Sequence, residues 1–283
     1  MYISGLDISK QLKLSENLTL LPIERQLDLN CMAKSLESDV DFAISILCAQ
    51  NCKAQLKITA DNPEELAVLT WNAQWDIILL DAILNCNAMC NIQSSVSADS
   101  LCKDSFVNIT NYHLHGILQE PYQIVDEDAQ WLHTYFGNAK SLLDSQPSFM
   151  TAVHSMASFR WHSLPRVQLA ILWAGIEALF GVTSELVFRI SLYIANFLSA
   201  DIQEANLLFS KTKKLYSARS SAVHGNKTKK IDENQAVSDS AELLKRLIRK
   251  CIETNRMPVP EELTFFQQDN IPGLVLFDED NGG

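Results

Sequence analysis

The sequence predicts an α+β N-terminal domain followed by an all-α helical bundle. Two short segments within the first 125 residues alternate apolar and polar side chains, as strands with one buried face do. From Asp126 onward, apolar residues recur almost throughout at helical spacing. Gly (9) and Pro (8) are scarce among the 283 residues, which disfavours a turn-rich β-sandwich. We place the domains at residues 1–125 and 126–256, followed by an extended tail at 257–283.

In the N-terminal domain, residues 52–60 and 106–114 are the predicted strands. Between them lies a strong helix start: Asn62 suits the N-cap and Pro63 the first helical position. Apolar residues then continue at helical spacing to about Asn85. Residues 91–105 are polar and rich in serine, which predicts a loop.

The second domain is predicted to hold five or six helices, which together make a bundle. Capping residues, prolines and glycines mark where helices begin and end, with Gly181 and Gly225 as the clearest stops. The predicted helices cover residues 126–143, 149–161, 166–180, 185–198, 202–224 and 232–254.

Composition excludes several classes of protein. Hydrophobic residues make up 47% of the chain and charged residues 20%, which rules out a mainly disordered or low-complexity chain. The N-terminus lacks the pattern of a signal peptide, and the most apolar stretch, residues 167–182, is short and carries Glu177. We therefore expect a cytoplasmic protein without a membrane span. Seven cysteines, an odd number, favour reduced thiols over a disulfide framework.

Charge is unevenly distributed along the chain. The net charge is −11, yet residues 211–230 hold seven Lys or Arg and no Asp or Glu. We call this stretch the basic segment. It indicates a local anion site in an acidic protein, or a solvated connection between two helices.

The basic segment contains Arg219 and His224, separated by four residues, and Gly225 follows at once. Imidazole exchanges protons near neutral pH, and guanidinium donates in a planar fork that matches phosphate oxygens. Together the two side chains therefore indicate proton transfer beside a bound phosphate. The alternative is a helix-terminal pair without catalytic function, in which His224 lies at the negative end of the helix dipole and Arg219 is solvated.

The string LYSARSSAVHG (215–225) resembles the signature of the HEPN superfamily, in which Arg and His flank four to six residues. Upstream, LWAGIEALFG (172–181) and ELVFRISLYIANFL (185–198) resemble the preceding helices of the ApeA-like HEPN family, in the same order. The resemblance covers about residues 126–255. It implies an all-helical, usually dimeric domain that is often a metal-independent ribonuclease of prokaryotic toxin or anti-phage systems. A non-catalytic HEPN module that binds RNA, a nucleotide or a protein partner is the alternative.

On this reading, His224 is the general acid or base and Arg219 stabilises the charge that develops on the phosphorane. RNA supplies its own nucleophile, the 2′-hydroxyl, so we expect no cofactor or metal. One chain supplies one His at this motif, whereas the reaction needs an acid and a base. We therefore expect a homodimer with a composite active site. The N-terminal domain is expected to recognise a trigger or restrain the nuclease, which leaves room for a regulatory protein partner.

Supporting roles fall to neighbouring residues. Ser220 lies four residues before His224, so it is expected to orient the imidazole ring or the phosphate. Glu177 is expected either to hold Arg219 or to form a polar helix edge that pairs with Arg189. Candidate RNA-binding residues, which are otherwise ordinary solvated lysines, are Lys211, Lys213, Lys214, Lys227, Lys229 and Lys230.

The cysteines raise a zinc alternative. Cys48 with Cys52 and Cys86 with Cys90 are each four residues apart, and Cys102, His113 and His115 follow. Cys48 and Cys86 lie on apolar helical patterns, however, which favours small buried thiols over metal ligands.

Overall fold

The computed structural model describes residues 1–36, 38–114, 119–182, 184–224 and 232–264, with the backbone alone at positions 223 and 224. Within these ranges an antiparallel sheet with flanking helices is followed by a mostly helical part. The predicted fold class is therefore confirmed.

The N-terminal part is built on a six-stranded sheet of order β3-β4-β5-β1-β6-β7, whose neighbouring strands are all antiparallel. Two further short strands, β2 and β8, pair in parallel beside it. The strands are β1 (Tyr2–Ser4), β2 (Leu6–Asp7), β3 (Leu12–Lys13), β4 (Leu18–Pro22), β5 (Cys52–Ile58), β6 (Met89–Ser94), β7 (Val107–Ile109) and β8 (Tyr122–Gln123).

Helices cover both faces of the sheet. Helices α1 (Leu29–Met32) and α2 (Asp39–Ala49) share one hydrophobic cluster with Tyr2 of β1. The next residue, Ile3, belongs to the other cluster, together with α3 (Pro63–Leu84). Because successive side chains of a strand point to opposite faces, β1 separates the two clusters.

Helix α3 begins as the sequence predicts. The Asn62 side chain accepts a hydrogen bond of 2.8 Å from the Glu65 backbone N–H, and Pro63 occupies the first turn. The helix ends at Asn85, which adopts the left-handed conformation with φ of 60°.

The C-terminal part contains six described helices, and short 3₁₀ turns follow the second and the last of them. Within the tail, Pro260–Leu263 forms the second of these turns, and the Leu263 carbonyl accepts a hydrogen bond from Asn196. Residues 265–283 lie outside the described part of the chain. The helices are α4 (Asp126–Ser145), α5 (Pro147–Ser158), α6 (Pro165–Phe180), α7 (Leu186–Leu198), α8 (Ile202–His224) and α9 (Glu233–Thr254).

Two local predictions in the N-terminal part hold only for part of their length. The strand predicted at 106–114 is confined to β7, because the Asn111 side chain bonds the Cys90 carbonyl and the His113 N–H in place of a strand ladder. The polar loop predicted at 91–105 begins only after β6. Pairing of β6 with β1 and β7 overrides its polar composition.

Helix α3 connects the two parts of the molecule. Its second half is buried against the sheet and the bundle, and one continuous hydrophobic cluster includes residues of both parts. The boundary predicted at residue 125 stays a prediction. Among the described helices, α3 is the one whose length and composition would allow it to cross a membrane. This differs from residues 167–182, the stretch that the sequence indicates as the most apolar. The buried half of α3 carries Asp76 and Asp81, and both carboxylates form ion pairs.

Candidate active site

The predicted site is centred on α8, whose Arg219 faces α6. An Arg219 guanidinium nitrogen (Nη2) lies 3.4 Å from Oε1 of Glu177, in the last turn of α6. The side chains are 21% and 26% exposed, so the pair is mostly shielded from water. Of the two partners considered for Glu177, the structure selects Arg219. The other, Arg189, pairs with Glu185.

An aromatic layer lies beneath this ion pair. The Arg219 guanidinium carbon is 5.6 Å from the centre of the Tyr216 ring, a cation–π arrangement. Tyr216 packs edge-on against Trp173 at 5.1 Å, and the Trp173 indole N–H donates to Oγ of Ser240 on α9. The layer connects α8 to α6 and α9, so residues of three helices support the guanidinium.

The ion pair keeps unused hydrogen-bonding capacity. Arg219 Nε and Glu177 Oε1 are both buried, and neither has a hydrogen-bond partner among the described residues. The 3.4 Å approach is therefore an electrostatic contact rather than a directed hydrogen bond. Burial raises the pKa of the Tyr216 hydroxyl and the Glu177 carboxylate adds to that rise, whereas Arg219 opposes it.

Sequence reasoning missed Tyr216. The residue lies three positions before Arg219, which on a helix places the two side chains side by side. An aromatic residue at that spacing before a functional Arg is a signal that the sequence itself carries.

Position 224 is the last residue of α8 as described, and its side chain lies outside the described structure. Five residues of α-helix turn through about 500°, so positions 219 and 224 are about 140° apart around the axis. Position 224 instead falls within about 20° of Lys213 and Ser217, which are exposed. Ser220, half-buried, is about 40° from position 224. Arg219 thus faces the bundle, and a position about 140° away does not share that face of α8.

The basic segment is described only in part. Lys213 and Lys214 are exposed, whereas the ammonium group of Lys211 lies 3.4 Å from an Asp239 carboxylate oxygen. Lys211 therefore has a competing anionic partner. Lys227, Lys229 and Lys230 lie outside the described residues.

Most of the cysteines are buried apolar groups, the alternative that the sequence favours over zinc ligands. Cys48, Cys52, Cys86 and Cys90 are all buried, and all seven cysteines are free thiols. Burial raises the pKa of the Cys48 thiol to about 12, which disfavours the thiolate that zinc requires. Within the described ranges, no group of three His, Cys, Asp or Glu side chains is placed to hold a metal ion. His115 lies outside those ranges.

Comparisons with known proteins return no relative. No family model matches the chain, and neither a curated protein nor a solved structure matches it. The HEPN resemblance therefore rests on the three sequence segments alone and stays a prediction.

Proposed function

We propose that this chain is a metal-independent endoribonuclease of the HEPN kind, active as a homodimer in the cytoplasm. Attack of the RNA 2′-hydroxyl on the adjacent phosphorus would form a 2′,3′-cyclic phosphate and release the 5′-oxygen. The observation that carries the proposal is the Glu177–Arg219 pair, which holds a guanidinium five residues before His224. A prokaryotic toxin or anti-phage setting follows only from the resemblance.

The roles of the residues follow from their chemistry. His224 transfers protons, either from the 2′-hydroxyl or to the leaving oxygen. Arg219 stays positively charged and stabilises the dianionic transition state. Glu177 orients Arg219 and acts as a positioning residue, while Lys213 and Lys214 attract the phosphate backbone.

Dimerisation would resolve a geometric difficulty. Because positions 219 and 224 are about 140° apart on one helix, one chain does not present both groups on one face of α8. A two-fold axis beside the end of α8 would bring the two motifs together and supply two His, one as the acid and one as the base.

The decisive experiment is cleavage of mixed single-stranded and structured RNA in the presence of EDTA. We expect the wild type to cut and leave 2′,3′-cyclic phosphate ends, and His224→Ala to lose at least about 100-fold in rate. His162→Ala is the matched control, because His162 is exposed outside this site. Equal cutting by wild type and His224→Ala would refute the assignment.

The alternative function is a non-catalytic module that binds RNA, a nucleotide or a protein. It is favoured by the angle of about 140° between positions 219 and 224, which keeps the two groups off a common face of α8 within one chain. Folded, dimeric protein that binds RNA without cutting it would support this alternative.

A further inference from the structure

A small cavity lies where the N-terminal part meets the bundle, and it is distinct from the site around Arg219. Its volume is about 140 Å³. Its walls come from α3, from the turn before β6, from the segment after β7 and from the end of α5. The lining residues used in this argument are Gln74, Ile78, Asp81, His113, Ala157 and Trp161.

The size of the cavity limits its occupant to one ring. A cavity of about 150 Å³ in another protein holds a benzene molecule, so this one accommodates a six-membered ring. The walls are mostly apolar and include Ile78 and Ala157. A fused double ring would have to project through the mouth.

The charges at the cavity favour an uncharged occupant. Asp81 is the charged side chain among the described lining residues, and it is itself buried. Its Oδ1 accepts a hydrogen bond of 3.2 Å from the Cys86 N–H and lies 3.6 Å from Nη1 of Arg160. A phosphate would face this carboxylate, and a cation would compete with Arg160.

The cavity also offers an aromatic wall and a free polar edge. The rings of His113 and Trp161 stack with centroids 4.9 Å apart and planes 15° apart. The Gln74 amide donates to Oγ1 of Thr110 and leaves its own oxygen without a partner among the described residues. That oxygen is available to accept an N–H from the edge of a heteroaromatic ring.

We propose that this junction cavity binds the base of an uncharged pyrimidine nucleoside, with the sugar at the open mouth. A pyrimidine base is a single planar ring, which matches the size of the cavity, and it is uncharged, which matches the charges around it. Its edge carries N–H and carbonyl groups that suit the polar edge of the cavity. The base would come from a free nucleoside or from a nucleotide of an RNA strand. The proposal does not rest on ribonuclease activity.

The test is calorimetric titration of the whole 283-residue chain with cytidine, uridine, adenosine, guanosine and benzene. We expect cytidine or uridine to bind with a Kd below about 1 mM, and purine nucleosides at least about threefold more weakly. At ten times Kd the pyrimidine nucleoside should raise Tm by about 2–4 °C. Uridylyl-uridine then separates the sources: binding at least as tight as uridine identifies an RNA strand, and markedly weaker binding identifies the free nucleoside.

Two variants make the test specific. Ala157→Phe fills the cavity and should abolish binding, whereas Ala43→Phe, at an exposed position of α2 on the other side of the sheet, should bind as the wild type does. Gln74→Leu should weaken the binding of pyrimidine nucleosides at least about fivefold and leave benzene binding unchanged, even if Ala157→Phe fails to fold. The proposal is overturned if binding of cytidine and uridine does not saturate at 10 mM, which is about ten times the expected Kd. It is also overturned if Gln74→Leu binds them as tightly as the wild type does, or if purine nucleosides bind more tightly than pyrimidine nucleosides.

Discussion

At the scale of single residues, two Glu–Arg pairs of this protein have different consequences. Glu185 and Arg189 lie within one stretch of chain and are largely exposed, at 67% and 45%. Glu177 and Arg219 join α6 to α8 and are mostly shielded, so water screens their attraction less. An exposed pair contributes little to stability, whereas the shielded pair also fixes where a guanidinium lies.

We therefore expect Glu177→Gln to lower the kcat of RNA cleavage about tenfold, with KM nearly unchanged, because the guanidinium loses the charge that orients it. The free energy of unfolding should fall by only about 1 kcal/mol. Glu185→Gln is the matched control and should change kcat less than about twofold. Steady-state kinetics on a single RNA substrate measure both; a wild-type kcat for Glu177→Gln would exclude the positioning role.

At the scale of secondary-structure elements, close packing of α6 depends on one glycine. A Cβ atom added at Gly175 would lie 2.7 Å from Cβ of Ser155 on α5 and 3.1 Å from Leu244 on α9. Because a Cβ atom moves only with its backbone, the helices would have to separate. Gly137 on α4 has open space around the same position.

Gly175→Ala should accordingly lower the free energy of unfolding by about 1–3 kcal/mol, despite the better helix propensity of alanine. Gly137→Ala should raise it by about 0.5–1 kcal/mol, since there alanine only restricts the unfolded chain. Urea unfolding followed by circular dichroism measures both changes. Equal effects of the two substitutions would contradict the packing argument.

The exposed face of α8 carries a second element-scale prediction. Lys213 and Lys214 are exposed and belong to the proposed RNA path. The double variant Lys213→Gln with Lys214→Gln should reduce the slope of log K for single-stranded RNA against log salt by about 1.4, or about 0.7 for each lysine. Lys34→Gln with Lys103→Gln, two exposed lysines of the N-terminal part, should leave the slope unchanged. Fluorescence anisotropy over a salt series measures it, and an unchanged slope in the first variant would remove these lysines from the RNA path.

At the scale of the whole molecule, α3 places two buried carboxylates where the N-terminal part meets the bundle. Asp76 lies 2.9 Å from the Lys140 ammonium of α4, and Asp81 lies 3.6 Å from Arg160 after α5. Burial raises the pKa of Asp81 to about 6, although Arg160 and backbone N–H groups oppose the rise. The junction between the two parts therefore titrates in mildly acidic conditions.

This pKa predicts how stability depends on pH. The folded pKa exceeds the unfolded value of about 3.9, so the stabilisation from Asp81 is full below about pH 4 and is lost as pH rises through 6. Asp81→Asn cannot ionise, so from pH 4 to pH 7 it should gain about 2–3 kcal/mol relative to the wild type. Urea unfolding of both proteins at several pH values measures the difference. A difference independent of pH would show that the carboxyl titrates alike in both states.

The proposed dimer makes a prediction about mixtures. If each active site needs His224 from both chains, a heterodimer of wild type and His224→Ala is inactive. After subunit exchange, an equal mixture should then retain about one quarter of the activity that the same total amount of wild-type protein shows. Independent sites would retain about one half. Light scattering should give twice the chain mass of 31.8 kDa. A retained half would rule out the composite site.

The sequence by itself determined the fold class and most of the helices. Helix ends depend on nearby residues, such as Asn62 with Pro63, or Asp232, which caps α9. Because those interactions are local, they are readable from spacing alone. The Arg219–His224 motif and the buried state of Cys48 were also evident at this level.

Only the tertiary structure decided which distant residues meet. Three features join segments that are far apart in sequence: the pairing of β6 with β1, the ion pair of Arg219 with Glu177, and the junction cavity. Such contacts form when hydrophobic burial brings elements together, and a polar strand such as β6 then follows its neighbours rather than its composition. Local pattern sets the elements, and packing between them sets the sites.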